Sequence, residues 1–223
     1  MIPWREIGRA DIPGDNSEIT LKRRGEEFSI RTRDTELMNS RLNGSEETLA
    51  ELACNRTQKP DMRILIGGLG MGYTLSAALS NSQPDARITV SELIPAVVKW
   101  NREHLGHLTG MPLESPRATV KEEDVAKTIG NTEAKWDIIL LDVDNGPEGL
   151  TRKANDKLYS NAGLEKTFFA LRPNGILGVW SSNDDQSFTH RLKQCKFMVN
   201  TIIVPARKSG KSSKHTIWLA KKP

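Results

Sequence analysis

Arg63-Ile64-Leu65-Ile66-Gly67-Gly68-Leu69-Gly70-Met71-Gly72-Tyr73 is a short apolar run that breaks into glycines and continues as Thr74-Leu75-Ser76-Ala77-Ala78-Leu79-Ser80. Arg63–Gly67 reads as a strand and Tyr73–Ser80 as the helix that follows it. Glycines between the two permit a tight turn and let a ligand approach the backbone, beside the free amides of a helix N-terminus. The spacing narrows the ligand. A dinucleotide turn needs G-x-G-x-x-G, and counted from Gly68 the last position falls on Tyr73 and fails. Gly68, Gly70 and Gly72 instead form G-x-G-x-G.

Downstream, strands and helices alternate. Arg87–Ser91 reads as a strand and Pro95–His104 as a helix, with Pro95 suited to the first turn. Ala118–Lys121 is a weaker strand, and Trp136–Leu141 an apolar one to be buried on both faces. Leu164–Leu171 is helical and stops before Pro173; Ile176–Trp180 is a strand, and a helix lies around Ser187–Gln194. Met198–Val204 and Thr216–Ala220 are strands with no room for a helix between them, hence antiparallel. The order predicts an α/β fold: a doubly wound Rossmann-like sheet ending in an antiparallel pair, with ligands at the carboxyl ends of its strands.

Upstream, residues 1–17 carry Pro3, Gly8, Pro13 and Gly14 without periodicity and read as an irregular arm. Glu18–Arg23 and Glu27–Arg33 alternate around Arg24-Gly25-Glu26, a short β-hairpin. Gly44-Ser45-Glu46-Glu47 opens a helix, with Ser45 placed to cap it, the glutamates at its positive end, and Leu49, Leu52 and Ala53 as its buried stripe. The division expected is residues 1–60 for arm, hairpin and helix, and 61–223 for the α/β domain.

The 223 residues suffice for one ordinary domain, and no run approaches the ~20 apolar residues of a membrane helix. The first residues lack the apolar stretch of a secretory signal. Cys54 and Cys195 stand far apart with no zinc-type spacing, so buried reduced thiols in a cytoplasmic, soluble protein are expected. Lys and Arg number 32 against 28 Asp and Glu, a net charge of +4. The basic clusters at Lys22-Arg23-Arg24, Arg207–Lys214 and Lys221-Lys222 lack interleaved aromatics, which argues against a nucleic-acid partner. His104 and His107 have no third ligand nearby, and no metal is expected.

G-x-G-x-G in this context resembles the first motif of S-adenosylmethionine-dependent transferases. Glu92 ends the second strand about twenty residues after the turn, where a carboxylate bonds ribose hydroxyls. Asp124, after the third strand, is placed to accept the adenine amino group. The central strand delivers Asp142-Val143-Asp144-Asn145-Gly146-Pro147 to the carboxyl edge. There Asp142 and Asp144 are candidate catalytic carboxylates, able to orient a cationic amine and take its proton as a sulfonium carbon is transferred. Turn formation and capping are the competing roles for these acids.

Ile64–Gly72, the Glu92 strand end, Trp136–Asp142 and Leu158-Tyr159-Ser160 through Leu171-Arg-Pro-Asn-Gly-Ile-Leu177 together resemble the spermidine synthase-like branch of the Rossmann methyltransferase superfamily, over roughly residues 18–220. The resemblance implies that Gly68, Gly70, Gly72, Glu92 and Asp124 bind the adenosyl group of S-adenosylmethionine or its decarboxylated form. It further implies that Asp142 is catalytic, that Tyr159 and Asn145 line the site of a small amine-type acceptor, and that the chain forms a homodimer. Aminopropyltransferases resemble G-G-G-D-G-G at the turn, with an aspartate for the aminopropyl ammonium; Leu69-Gly70-Met71 offers none, which tips the reading toward methyl transfer. Their catalytic loop resembles D-S-S-D-P-x-G-P, longer than Asp142–Pro147, and their N-terminal β region is larger than one hairpin. A binding or scaffold protein without chemistry, and an RNA-directed methyltransferase contacting through Lys208, Lys211 and Lys214, stay open as alternatives.

Overall fold

Trp136–Leu141 is buried along its whole length and lies inside a seven-stranded sheet, as an apolar strand covered on both faces must. The computed structural model describes residues 2–33, 35–143, 146–147, 157–207 and 213–223. In chain order its strands are β1 (Arg5–Asp11), β2 (Glu18–Arg24), β3 (Glu27–Thr32), β4 (Glu36–Asn39), β5 (Arg63–Gly67), β6 (Arg87–Ser91), β7 (Ala118–Lys121), β8 (Trp136–Leu141), β9 (Leu171–Ser181), β10 (Met198–Pro205) and β11 (Lys214–Lys221). Its α-helices are α1 (Gly44–Asn55), α2 (Tyr73–Asn81), α3 (Pro95–Trp100), α4 (Val125–Gly130), α5 (Asn161–Ala170) and α6 (Gln186–Gln194).

The large sheet runs β10-β11-β9-β8-β5-β6-β7. β9, β8, β5, β6 and β7 are parallel, and β11 joins β9 and β10 antiparallel. This is the doubly wound sheet with an antiparallel close that the strand–helix order predicts. The strand order reverses between β5 and β8, and the register there positions the site. Gly67 lies opposite Leu141 and Ser91, the Asp142 amide donates to the Gly67 carbonyl at 3.0 Å, and the Gly68 amide to the Ser91 carbonyl at 2.9 Å. The glycine turn, the end of β6 and the end of β8 therefore meet at one crevice.

The N-terminal region is more ordered than its sequence suggests. The expected hairpin is there as β2 and β3, but it forms the middle of a four-stranded antiparallel sheet ordered β1-β2-β3-β4. Residues 5–11, expected to be irregular, are β1. β1 is a polar edge strand with a bulge between Glu6 and Gly8, so it shows no clean alternation. A Cβ on Gly8 would overlap the Trp100 indole; that glycine marks a close approach, not a loop. Ile12, Ile19, Leu21, Phe28 and Ile30 from this region share one buried core with Ile64, Ile66, Leu69, Val97 and Trp100. The small sheet thereby covers the carboxyl edge of the large one. The opposite face of the large sheet is covered by a second core that includes Leu65, Ile139, Leu141, Tyr159, Phe188 and Trp218.

Candidate functional site

The turn after β5 needs its glycines. Gly68, Gly70 and Gly72 have φ of +87°, +52° and +87°, the left-handed region that side chains resist. A Cβ on Gly68 would also overlap the Asp142 carbonyl, and one on Gly70 would sit 2.9 Å from Met38 Sδ. Asn101, just past α3, donates from Nδ2 to the Gly70 carbonyl at 2.8 Å and braces the loop.

Glu92 is buried at the end of β6. Its Oε2 accepts from the Leu69 amide at 2.8 Å and its Oε1 from the Ile94 amide at 2.9 Å. Burial raises its carboxyl above the ordinary value, and the amides of Leu69 and Ile94 pull the other way. The amides of Gly70 and Leu93 also approach this carboxylate, which lines the cleft. Asp124 caps α4, its Oδ1 accepting from the Ala126 amide at 2.8 Å. Gly68, Gly70, Glu92 and Asp124 all line one cleft, so the residues present fit an adenosyl group. That cleft has a cavity volume of about 160 Å³ and is open at its mouth. Ile12, Ile19, Ile30, Leu37 and Met38 of the N-terminal region give it an apolar wall.

Across from the turn, the cleft is acidic. Asp142 Oδ2 accepts from Thr74 Oγ1 at 2.6 Å. Glu46, in the first turn of α1, lines the same cleft and is buried. Its Oε2 accepts from Ser45 Oγ at 2.6 Å. Both carboxyls are held well above the ordinary range by desolvation, and for Glu46 the Asp142 charge adds to the rise. Like charges facing each other in a dry site cannot both ionise without a cation. Among the described residues lining the cleft there are Glu46, Glu92, Asp124 and Asp142, and no Lys or Arg.

Glu46 is a cleft-lining acid that the sequence reading passed over, taking it as a dipole-favoured acid. Its position carried a signal: it lies three residues before Leu49 and seven before Ala53, on the stripe that α1 buries. Ser45 does not cap the helix as expected. The helix starts one residue earlier, at Gly44, and Asn43 precedes it without a side-chain cap; the buried Ser45 hydroxyl turns inward to Glu46, Trp180 Nε1 at 2.9 Å and His215 Nδ1 at 2.8 Å.

Tyr159, expected on the acceptor wall, packs edge-to-face on Phe188 at 5.6 Å in the second core and is not among the residues lining the cleft. The reason is the helix it leads into: Ser160 caps α5, and Leu158 and Tyr159 are drawn under the sheet. Asp144 and Asn145 lie outside the described residues, as do Lys208 and Lys211. Asp185 is a cap, accepting from the Phe188 amide at 2.9 Å and pairing with Arg191 at 3.3 Å. Cys54 and Cys195 are buried free thiols, and burial pushes Cys54 up to about 12. Among the described residues no group of three His, Cys, Asp or Glu side chains could hold a metal ion, and no helix is long and apolar enough to cross a membrane.

Comparison with known proteins follows the same lines. The family model described as the spermine/spermidine synthase domain matches residues 43–204. A curated polyamine aminopropyltransferase from Korarchaeum cryptofilum is 27% identical over 114 residues, 51% of this chain and 35% of that protein, so the match spans about a third of the relative's length. Among solved structures, spermidine synthase from Thermotoga maritima superposes with a TM-score of 0.78 at 17% identity, over 98% of this chain and 73% of that one. Human methyltransferase-like protein 13, solved in complex with SAH, gives 0.58 at 19% identity over 80% of each chain. These two likenesses are of fold.

Proposed function

The chain belongs to the spermine/spermidine synthase domain family, and from that premise we propose that it transfers an aminopropyl group from decarboxylated S-adenosylmethionine to an amine. The observation that carries this reading is the charge of the cleft: four carboxylates line it and no described cation does. Intact S-adenosylmethionine would bring a further carboxylate into that field. The decarboxylated donor brings a sulfonium and an ammonium only, and an amine acceptor is cationic as well. Leu69 and Met71 lack the acid that the family resemblance places at the turn; the Glu46–Asp142 pair supplies negative charge in the same cleft. For this reason aminopropyl transfer replaces the methyl transfer that the sequence alone favours.

In this reading the backbone of Gly68 and Gly70 lies against the adenosyl group, Gly72, packed by Asn101, Thr109 and Pro112 outside the cleft lining, shapes the turn, Glu92 bonds the ribose hydroxyls and Asp124 the adenine amino group. The donor supplies an electrophilic carbon next to sulfonium, and methylthioadenosine leaves as the carbon–nitrogen bond forms. Asp142 and Glu46 hold the acceptor ammonium and take the proton it must lose before its nitrogen can attack. Carboxyls raised toward neutrality are matched to that task.

The test is calorimetric titration with decarboxylated S-adenosylmethionine, S-adenosylmethionine and methylthioadenosine, followed by mass spectrometry of reactions with a panel of mono- and diamines. Tightest binding of the decarboxylated donor, with methylthioadenosine and an aminopropylated amine as products, is the expected result. Tighter binding of the intact donor, or binding of none of the three, would overturn it.

A further inference from the structure

Ser45 Oγ stands at a junction that the transfer reading does not use. It is fully buried and meets Glu46 Oε2 at 2.6 Å, His215 Nδ1 at 2.8 Å and Trp180 Nε1 at 2.9 Å. The three partners come from α1, β11 and β9. A hydroxyl has one proton to donate and two lone pairs to accept with. The indole N–H can only donate, so Trp180 permanently occupies one lone pair. What is left is a single switch. Either Ser45 donates to Glu46 and accepts from the Nδ1–H of His215, or it accepts from a protonated Glu46 and donates to Nδ1. His215 is packed edge-to-face on Trp180 with ring centroids 4.8 Å apart, which fixes the imidazole plane, and its ring is only partly buried. The chain of contacts thus runs from a carboxyl inside the cleft to a residue that is only partly buried.

Resting on the aminopropyl-transfer reading, we propose that Ser45 and His215 are a proton exit for Glu46. The acceptor ammonium gives its N–H proton to a Glu46 carboxylate oxygen, and its freed lone pair attacks the donor carbon. The proton on Oε2 passes to Ser45 Oγ while the Ser45 proton passes to His215 Nδ1. The Nε2 proton of His215 leaves to water, and proton exchange with solvent then returns the ring from the Nδ1–H to the Nε2–H tautomer, with Nδ1 bare for the next transfer. One proton enters and one leaves, and nothing is oxidised or reduced. Ser45 and His215 are positioning and relay residues; Glu46 touches the substrate.

The charges around the relay favour outward movement. Asp142 at the end of β8 and Glu47 on the same helix both disfavour an ionised Glu46, and Tyr73 of α2 stands near both glutamates. Burial disfavours the charged form of His215, and in its neutral Nε2–H tautomer Nδ1 accepts when Ser45 turns. An imidazolium formed there would be short-lived and would shed its proton at the exposed side.

The test reads the switch directly in the protein without ligand, using 15N-histidine labelling and long-range proton–nitrogen spectra. His215 is expected to pass from the Nδ1–H to the Nε2–H tautomer as pH is lowered through the titration of the carboxyl pair. Glu46→Gln and Ser45→Ala should abolish that passage, and Ser45→Thr should keep it. A His215 tautomer that ignores both pH and these substitutions would overturn the relay. With an amine that the panel shows to be turned over, Ser45→Ala should lower kcat by about tenfold or more with KM kept. His215→Ala should lose as much and regain it with imidazole in the buffer; full kcat in either variant would overturn the proposal. A failed donor titration would sink the transfer reading and leave the tautomer coupling measurable, so the two failures are distinguishable.

Discussion

β8 carries an acid at each end, and the two have opposite surroundings: Asp137 is buried, and Asp142 is only partly so. Asp137, at its start, has a side chain 1% exposed and is paired with Arg172 at 2.9 Å and with Lys59. It also accepts the Arg63 amide at 2.8 Å. Asp142, just past its end, has a hydroxyl from Thr74 and a second acid, Glu46, within electrostatic reach. The strand between them is uniformly apolar, so local sequence does not explain the contrast. An acid whose acceptor sites are filled by cations and amides holds the structure together. An acid left with a hydroxyl and a like charge is costly to ionise and stays so until a cation arrives. Asp137 ties strand starts to the chain around them; Asp142 lines the cleft.

The largest effect separating the two ends should appear in turnover. Asp142→Asn keeps the shape and the Thr74 contact but cannot hold a proton or a cation as the acid does. Its kcat should fall by about 10²–10⁴-fold on any amine the protein turns over, with the melting temperature at neutral pH unchanged or raised. Activity within a factor of two of the unmodified chain would dissolve the contrast. Next comes Asp137→Asn, which leaves Arg172 and Lys59 without their charge partner in a place the chain has closed over. Because both cations are partly exposed and can turn to water, the loss should be about 2–4 kcal/mol, read by denaturant unfolding, with kcat of the folded protein intact.

The smallest effect is on pH dependence. Glu46 and Asp142 have folded-state values raised above those of the unfolded chain. The folded state therefore retains a proton over a pH range in which the unfolded state has released it. Stability is greatest below the ordinary carboxylate range and falls as pH rises toward the raised values. Glu46→Gln removes the ionisation and should flatten that fall, with a gain of about 1–2 kcal/mol above neutral pH. Thermal unfolding across pH 5–9 would check it. A steeper decline in the variant would mean that the pair is stabilising when ionised, and the comparison between the two ends of β8 would fail.

Much of this contrast was legible in the chain. The glycine turn, Glu92 and Asp142 follow from period, spacing and the rule that doubly wound sheets bind at their carboxyl ends, and the structure brings these residues into one cleft. Glu46 lay on the buried stripe of its helix, but two acids at a helix start have a sufficient local explanation in the dipole. Ser45 likewise looked like a cap because serine before two glutamates is a capping pattern. β1 went unread because an edge strand with a bulge and a glycine has no alternation to detect. Tyr159 was assigned by resemblance, while its actual place depends on how α5 is drawn against the sheet.

The sequence alone determined the order of strands and helices, the strand that must be central, the turn that must contain glycine and the acids that must emerge at its edge. All of these are local properties, set by periodicity and backbone conformation over a few residues. Only the tertiary structure decided that Glu46 faces Asp142, that the Ser45 hydroxyl joins α1 to β9 and β11, and that a four-stranded sheet walls the cleft. Those contacts join residues far apart in the chain, and they exist because burying one apolar face of each element against another leaves the polar groups between them a single set of partners.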